Sequence, residues 1–86
     1  MFVIYSKGAR GLCGFCDKAE DLLESLGYNT TVINIMDEFE ENKTYFLEEH
    51  HIVIKTVPQI VENIAGEEHY VGGYNELVKY LKEKSL

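Results

Sequence analysis

The order of apolar and polar positions along the chain predicts its helices and strands. Residues 2–5 are apolar and β-prone, which favours a short buried strand. Residues 14–26 predict a helix, because their apolar side chains recur at the spacing of one helical face. That face comprises Phe15, Ala19, Leu22, Leu23 and Leu26. Gly27 predicts the end of this helix, and the loosely alternating segment 30–35 predicts a second strand.

The second half of the chain adds a helix, a hairpin and a last helix. Residues 38–51 are mostly good helix formers. The side chains available for its burial are Phe39, Tyr45, Phe46 and Leu47. Residues 59–64 and 69–71 predict two strands, joined by a turn over residues 65–68. Asn75 is expected to cap the last helix. The apolar stripe of that helix consists of Leu77, Val78 and Leu81.

The resulting order, β-α-β-α-β-β-α, defines an α/β fold with one mixed sheet. The first β-α-β unit requires a right-handed crossover and two parallel strands. The last two strands are close enough in sequence to form an antiparallel hairpin. We therefore expect a single domain over residues 1–86, with a four-stranded mixed sheet flanked by three helices. A chain of this length supports one modest core.

Composition and charge exclude several classes of protein. Apolar residues make up 45% of the chain and charged residues 27%, which is typical of a globular protein. The net charge of −7 argues against a nucleic-acid binder, which needs a basic surface. The apolar stretches are shorter than a membrane span, and the N-terminal run lacks the features of a signal peptide. We therefore expect a cytoplasmic protein, in which a close cysteine pair is catalytic or metal-binding rather than a structural crosslink.

The cysteines Cys13 and Cys16 lie where the first loop meets the first predicted helix. Free backbone N–H groups and the positive end of the helix dipole favour a thiolate at this position. The thiolate is the attacking species in disulfide exchange. Cys13, at the helix start, is predicted to be the exposed nucleophile, and Cys16, about one turn later, the more buried resolving thiol. The three-residue offset brings both sulfurs to one side of the helix, within bonding reach.

A Cys-x-x-Cys pair can also be half of a zinc site. The candidate ligands that would complete it are His50, His51 and His69. Adjacent histidines lack the usual spacing of three to five residues between paired ligands, so we favour the redox interpretation and expect no metal. We instead expect His50 and His51 to form a solvated helix end. The acidic residues expected to form a solvated face are Glu38, Glu40, Glu41, Glu48 and Glu49.

Pro58 is the only proline of the chain, and it directly precedes the strand predicted over residues 59–64. Proline at a strand start gives up a ladder hydrogen bond and is common there, which is the interpretation that the residue type alone favours. The alternative is a cis Val57–Pro58 bond. It would expose the backbone N–H and C=O of Val57 to an extended peptide.

Four segments together resemble the glutaredoxin family. They are Tyr5-Ser6-Lys7, Cys13-Gly14-Phe15-Cys16, Thr56-Val57-Pro58-Gln59 and Gly72-Gly73-Tyr74-Asn75-Glu76-Leu77. The motifs are specific together, although each alone is not, and the resemblance covers nearly the whole chain. The compact form, with the segment Ile33-Asn34-Ile35-Met36, is particularly similar to bacteriophage-encoded glutaredoxins, which would locate the protein in the host cytoplasm.

The resemblance implies a thioredoxin-like fold and a thiol–disulfide oxidoreductase that uses glutathione as co-substrate. Cys13 would form the mixed disulfide with glutathione, and Val57 would pair with the backbone of its cysteine. Lys7 and Lys55 would lie near its glycine carboxylate. The glutathione-binding residues that the family implies are Lys7, Phe15, Lys55, Thr56, Val57, Pro58, Gly73, Tyr74 and Asn75. The last three would hold the γ-glutamyl end, and Thr56-Val57-Pro58 would form the cis-proline loop.

Three departures from the family pattern bear on function. Gly14 replaces the usual proline after the first cysteine. Asn75 replaces an aspartate that commonly accepts from the γ-glutamyl ammonium, and an amide acceptor lacks charge assistance. The Gly-Phe pair is typical of monothiol glutaredoxins, which often hold an iron–sulfur cluster. We favour the dithiol class, because Cys16 takes the place of their serine and the chain has no tryptophan.

The implied partners are glutathione and disulfide-containing proteins, with ribonucleotide reductase as the family's usual substrate, and we expect a monomer. Three alternatives stay open: an iron–sulfur module bridged across a dimer by Cys13 and glutathione, a thioredoxin-like reductant that does not use glutathione, and a structural zinc module. Arg10, in the loop before Cys13, is a candidate to steer anions or stabilise the thiolate, with a free surface role as the equal alternative.

Overall fold

The computed structural model describes residues 1–7 and 11–84. Part of the loop before Cys13 therefore lies outside the described residues, and so does Arg10. Within the described ranges, every helix is too short or too polar to cross a bilayer.

These residues form the predicted elements in the predicted order. The strands are β1 (Phe2–Ser6), β2 (Thr30–Asn34), β3 (Gln59–Ile64) and β4 (Glu67–Gly72). The helices are α1 (Gly14–Ser25), α2 (Phe39–His50) and α3 (Tyr74–Lys84). The predicted bounds of the first five elements agree with the structure to within one residue, whereas β4 begins two residues earlier than predicted.

The four strands form one mixed sheet in the order β2-β1-β3-β4. Strand β1 pairs in parallel with β2, and it pairs antiparallel with β3, so that Ile4 lies opposite both Val32 and Ile60. Strands β3 and β4 form the antiparallel hairpin. This arrangement confirms the predicted α/β fold. It also brings Lys7, after β1, and Pro58, before β3, to the same edge of the sheet.

The core consists of two clusters, one on each face of the sheet. Because successive strand side chains point to opposite faces, Ile4 and Ile60 enter the first cluster, and Tyr5 and Val61 enter the second. The first cluster is completed by Phe2 and by residues of α1 and α3, namely Ala19, Leu23, Leu77 and Leu81. The second is completed by Ile35 and by Phe46 of α2. Helices α1 and α3 therefore cover one face, and α2 covers the other.

Only the middle of the predicted apolar face of α1 is buried. Ala19 and Leu23 are fully buried, whereas Phe15 and Leu26 are more than half exposed. These two residues lie in the first turn and at the C-cap, beyond the part of the helix that packs on the sheet. The exposed ring of Phe15 is therefore available at the end of the helix that carries the cysteines.

The hairpin turn is shorter than predicted. Only Ala65 and Gly66 form it, and both have positive φ, 53° and 87°. Two left-handed residues in succession match the twist of an antiparallel pair. Glu67 and Glu68, which the sequence predicts in the turn, therefore belong to β4.

The prediction that Asn75 caps the last helix is wrong. Helix α3 begins at Tyr74, so Asn75 is its second residue. The Gly73 backbone N–H donates to Glu76 Oε1 at 3.3 Å, which is the carboxylate half of a capping box. Asn75 is exposed, and its side chain is therefore not used to start the helix.

The expectation of a solvated helix end holds for His51 but is wrong for His50. The His50 side chain is 7% exposed, and its Nε2 lies 3.1 Å from the Tyr45 hydroxyl. Its ring also lies against the rings of Phe46 and Tyr70. His51 is exposed and ends α2 with a φ of 58°. The acidic residues expected on a solvated face are all exposed.

Candidate active site

Cys13 is the N-cap residue of α1. Its backbone is extended, and its sulfur accepts a hydrogen bond from the Cys16 backbone N–H at 3.2 Å. The Cys13 carbonyl accepts from the Asp17 N–H at 3.1 Å, which begins the helical hydrogen bonding. The sulfur therefore lies at the positive end of the helix dipole, beside N–H groups that have no helical partner. A thiolate of Cys13 would be stabilised by the same groups.

The two cysteines form a disulfide, with their Cα atoms 5.2 Å apart. Cys13 is half-buried, and Cys16 is only 4% exposed. A substrate can therefore reach Cys13 more easily than Cys16. This difference in exposure is what attack by Cys13 and resolution by Cys16 require.

A cleft of about 170 Å³ lies beside the cysteine motif, and we call it the proline cleft. Its lining residues are Phe15, Thr56, Val57, Pro58, Gly73, Tyr74, Asn75 and Glu76. The Val57–Pro58 bond is cis, so the alternative to an ordinary strand-start proline is the correct one. The ring centroids of Phe15 and Tyr74 are 5.9 Å apart. These contacts join the start of α1, the cis-proline segment and the start of α3.

A second cleft, of about 420 Å³, adjoins the first and shares Thr56 and Val57 with it; we call it the lysine cleft. Its other lining residues are Lys7, Ile35, Met36, Phe39, Ile54 and Lys55. Every residue predicted from the family resemblance to bind glutathione therefore lines one of the two clefts. Segments that are up to about 70 residues apart in the sequence meet there because the strand order brings their ends to one edge.

The cis-proline segment is held by two residues that the sequence did not mark as site residues. Gln59 Nε2 donates to the Thr56 carbonyl at 2.9 Å, and the Tyr70 hydroxyl donates to Gln59 Oε1 at 2.6 Å. Burial raises the pKa of Tyr70, with a smaller contribution from Glu76, so its hydroxyl is a neutral donor at physiological pH. The available signal was a polar residue, Gln59, between Pro58 and the apolar pair Ile60-Val61.

The three histidines do not complete a metal site with the cysteine pair. Among residues 1–7 and 11–84, no three His, Cys, Asp or Glu side chains are arranged to hold a metal ion. His50 contacts Tyr45 instead, and His69 lies 3.6 Å from Glu67 on β4.

A thioredoxin-like sheet with a Cys-x-x-Cys disulfide at the start of α1 defines a thiol–disulfide oxidoreductase. The chain belongs to the glutaredoxin family, whose sequence profile it matches over residues 2–70. The matched range includes both cysteines, Lys7 and the cis-proline segment, whereas Gly73, Tyr74 and Asn75 lie beyond it.

Solved glutaredoxin structures share the fold. A buckwheat glutaredoxin–glutathione complex has a TM-score of 0.69 and 22% identity, over 96% of this chain and 69% of that chain. Wheat glutaredoxin has a TM-score of 0.67 and 25% identity, over 94% and 70%. Glutaredoxin from E. coli has a TM-score of 0.61 and 24% identity, over 96% and 94%. No curated protein matches the sequence.

Proposed function

We propose that the protein reduces protein disulfides and glutathione mixed disulfides with glutathione as reductant, using Cys13 as nucleophile and Cys16 as resolving thiol. The observation that carries this proposal is the hydrogen bond from the Cys16 N–H to the Cys13 sulfur at the N-cap of α1. It supports Cys13, whose sulfur is half-buried, as the cysteine that the helix start stabilises as a thiolate.

The catalytic cycle begins with the reduced protein. The Cys13 thiolate attacks a substrate disulfide, one substrate sulfur leaves and takes up a proton, and Cys13 enters a mixed disulfide. The Cys16 thiol loses its proton and attacks the Cys13 sulfur, which releases the second substrate thiol and leaves the Cys13–Cys16 disulfide. The substrate has then gained two electrons and two protons. The cysteine pair supplies both electrons and the Cys16 proton, and solvent supplies the other proton because Cys13 reacts as a thiolate.

Two glutathione molecules restore the dithiol. The first attacks the Cys13 sulfur, releases Cys16 as a thiol and forms a glutathionyl adduct on Cys13. The second attacks the sulfur of the bound glutathione, releases the Cys13 thiolate and leaves as glutathione disulfide. The same adduct forms directly when Cys13 attacks a glutathionylated protein, and this monothiol branch does not need Cys16.

The two clefts support glutathione as the co-substrate. In our proposal the backbone of Val57, which lines both clefts, pairs with the glutathione cysteine in the manner of an added strand. Lys7 and Lys55 in the lysine cleft receive the glycine carboxylate. The proline cleft receives the γ-glutamyl group beside Gly73, Tyr74 and Asn75. The buckwheat structure that shares this fold is itself a glutathione complex.

Two single substitutions test the roles of the cysteines. Cys13→Ser should abolish both branches, whereas Cys16→Ser should abolish reduction of protein disulfides and retain removal of glutathione from a glutathionylated peptide. Equal loss of both activities in the two variants would overturn these roles. Turnover coupled to glutathione reductase, compared with turnover coupled to thioredoxin reductase, tests the choice of reductant.

We also propose that the chain acts as a monomeric single domain in the cytoplasm, with disulfide-containing proteins as substrates. Ribonucleotide reductase is the substrate to test first, by asking whether the reduced protein supports its turnover. Anaerobic reconstitution with iron and sulfide, followed by a visible spectrum, tests the alternative of an iron–sulfur module. A cluster spectrum from a dimeric species would contradict the monomeric enzyme.

A further inference from the structure

The lysine cleft has an apolar part that the proposed glutathione pose leaves unused. Met36, Phe39 and Ile54 line it. Met36 is 55% exposed, and the other two are half-buried. The residue that follows the cysteine in glutathione is glycine, which has no side chain to place against them. An exposed apolar surface beside a binding site is typical of a surface that contacts a partner.

The same cleft carries positive charge in an acidic protein. Lys7 and Lys55 both line it and both are exposed, although the chain has a net charge of −7. Neither lysine forms an ion pair with a carboxylate among the described residues. Their charges are therefore available to a ligand, and the complementary ligand is acidic.

We propose that the lysine cleft recognises protein substrates with a large apolar residue directly after the reacting cysteine and an acidic residue directly after that. The proposal rests on the proposed function, because it assumes that the substrate cysteine lies at Val57 as the glutathione cysteine does. The segment after the cysteine then runs along the cleft. Its apolar side chain packs on Met36, whose flexible thioether adapts to different shapes.

The acidic side chain has a specific task in this arrangement. Glutathione ends in a carboxylate after its glycine, whereas a protein substrate continues with a neutral amide at that point. A substrate protein therefore needs an Asp or Glu side chain to supply the negative charge that Lys7 and Lys55 receive from glutathione. The cleft would thus bind glutathione through its terminal carboxylate and a protein substrate through the carboxylate of an Asp or Glu side chain.

A thiol-exchange equilibrium measures this recognition directly. The Cys16→Ser protein, glutathionylated on Cys13, is mixed with a peptide thiol of sequence acetyl-Gly-Ala-Cys-Leu-Glu-Gly-amide. The bond between Cys13 and glutathione breaks, a bond between Cys13 and the peptide forms, and one proton moves from the peptide thiol to glutathione. Intact mass spectrometry gives the ratio of the two adducts. Exchange of the same peptides with free glutathione disulfide corrects for intrinsic differences between the thiols.

The expected preferences follow from the two parts of the cleft. The Leu-Glu peptide should displace glutathione about tenfold more effectively than a Gly-Glu peptide, and several-fold more effectively than a Leu-Gln peptide. Met36→Ala should remove most of the leucine preference and retain the glutamate preference. Leu26→Ala is the matched control, because Leu26 is an apolar residue that is 56% exposed at the far end of α1, and it should change neither preference.

The outcomes separate this inference from the function on which it rests. If Cys13 forms no glutathione adduct, the proposed function fails. If the adduct forms and all three peptides displace glutathione equally, the lysine cleft does not select the residues after the cysteine. If the leucine preference is present in both the Met36→Ala and the Leu26→Ala proteins, recognition lies elsewhere and the inference is wrong.

Discussion

The side-chain amide of Gln59 donates to the backbone carbonyl of Thr56 at 2.9 Å, and this bond ties the first residue of β3 to the cis-proline segment. The hydroxyl of Tyr70, on the neighbouring strand, donates to the oxygen of the same amide. The buried sheet therefore fixes the segment that lines both clefts. Since Gln59 is not among the residues that line either cleft, we expect it to affect catalysis only through the position of the cis-proline segment.

Gln59→Leu should weaken glutathione binding more than it slows the chemical step. Leucine is similar in size but leaves the Thr56 carbonyl without its donor, a loss of about 1 kcal/mol or about fivefold in affinity. We expect KM for a glutathionylated peptide to rise by that factor, with kcat little changed. Tyr70→Phe keeps the bond to Thr56 and should have a smaller effect. A fall in kcat at constant KM would contradict a positioning role.

The N-cap position of Cys13 predicts an acidic thiol. A free cysteine has a pKa of about 8.5, and a helix N-terminus lowers it. The rate of alkylation of the reduced Cys16→Ser protein by iodoacetamide should therefore rise with pH through a midpoint below about 7. The same protein in urea serves as the control, and its midpoint should return to the ordinary value. If the folded and unfolded midpoints coincide, Cys13 is not activated and the proposed mechanism fails.

The Asn75 side chain limits glutathione affinity if the γ-glutamyl group binds in the proline cleft. Asn75→Asp should strengthen binding, because a carboxylate adds its negative charge to the hydrogen bond with the ammonium, which the neutral amide accepts without that attraction. We expect KM for glutathione to fall about threefold to tenfold. Asn75→Ala should raise it. Identical KM values for the two variants would show that the γ-glutamyl group lies elsewhere.

Local sequence patterns predicted most of the fold, because each helix or strand is determined largely by residues that are close together in the sequence. The β-prone run at the N-terminus and the helical spacing from Phe15 to Leu26 each describe one element packed against one surface. The ends of helices and strands were predicted wrongly where more than one residue could form the end. Asn75 has the residue type of a cap, but Glu76 supplies the capping carboxylate.

The burial of individual polar residues could not be predicted from local sequence, because residues far away in the chain cover them. His50 is buried because the ring of Tyr70, 20 residues later in the sequence, lies 5.8 Å from its own ring. Glu62 is buried because α3 folds over it and supplies Tyr80 and Lys84 as donors. The cysteine pair was predicted from its position at a helix start, whereas the glutathione-binding residues were predicted only through the family resemblance, since no local pattern relates Lys7 to Lys55.

The two neighbouring histidines should differ strongly in their contribution to stability. His50→Ala removes a buried ring that contacts Phe46 and Tyr70 of the second core cluster, together with its contact to the Tyr45 hydroxyl. We expect a loss of about 2–3 kcal/mol in the free energy of unfolding. His51→Gly should be neutral or stabilising, because His51 is exposed at a φ of 58°, where glycine is favoured. Urea unfolding of both variants at pH 7 checks this. Similar losses would contradict the assigned burial.

Gly14 and Gly27 should respond oppositely to the same substitution. Both have open space where a Cβ would lie. Gly14 is the first residue of α1, where alanine reduces the freedom of the unfolded chain and favours the helix, so Gly14→Ala should stabilise by about 0.5–1 kcal/mol. Gly27 has a φ of 81°, so Gly27→Ala should destabilise by about 1 kcal/mol. The denaturant midpoints of the two oxidised variants test this prediction. If both substitutions shift the midpoint in the same direction, the prediction is wrong.

Glu62 predicts a specific dependence of stability on pH. Its side chain is 5% exposed and accepts hydrogen bonds from Tyr80 at 2.5 Å and from Lys84 at 2.7 Å. Burial by itself would raise the pKa of Glu62, but these bonds and the charge of Lys84 outweigh it and lower the pKa below the ordinary 4.5. Burial and the bond to Glu62 raise the pKa of Tyr80 to about 12, so Tyr80 stays a donor.

A carboxyl whose pKa is lower in the folded state than in the unfolded state stabilises the protein at pH values above its unfolded-state pKa. This stabilisation is lost as the pH falls through the folded-state pKa. Glu62→Gln should therefore cost about 1 kcal/mol at pH 7, a modest figure because Lys84 is one-third exposed and screened by solvent. The difference in the free energy of unfolding between Glu62→Gln and the parent protein should become smaller as the pH is lowered toward 3. The exposed neighbour of Lys84 provides the control, since Glu83→Gln should change stability by less than about 0.5 kcal/mol at either pH. Urea unfolding at both pH values, with the disulfide intact, decides: a difference that is the same at both values would mean that Glu62 acts through packing and not through its charge.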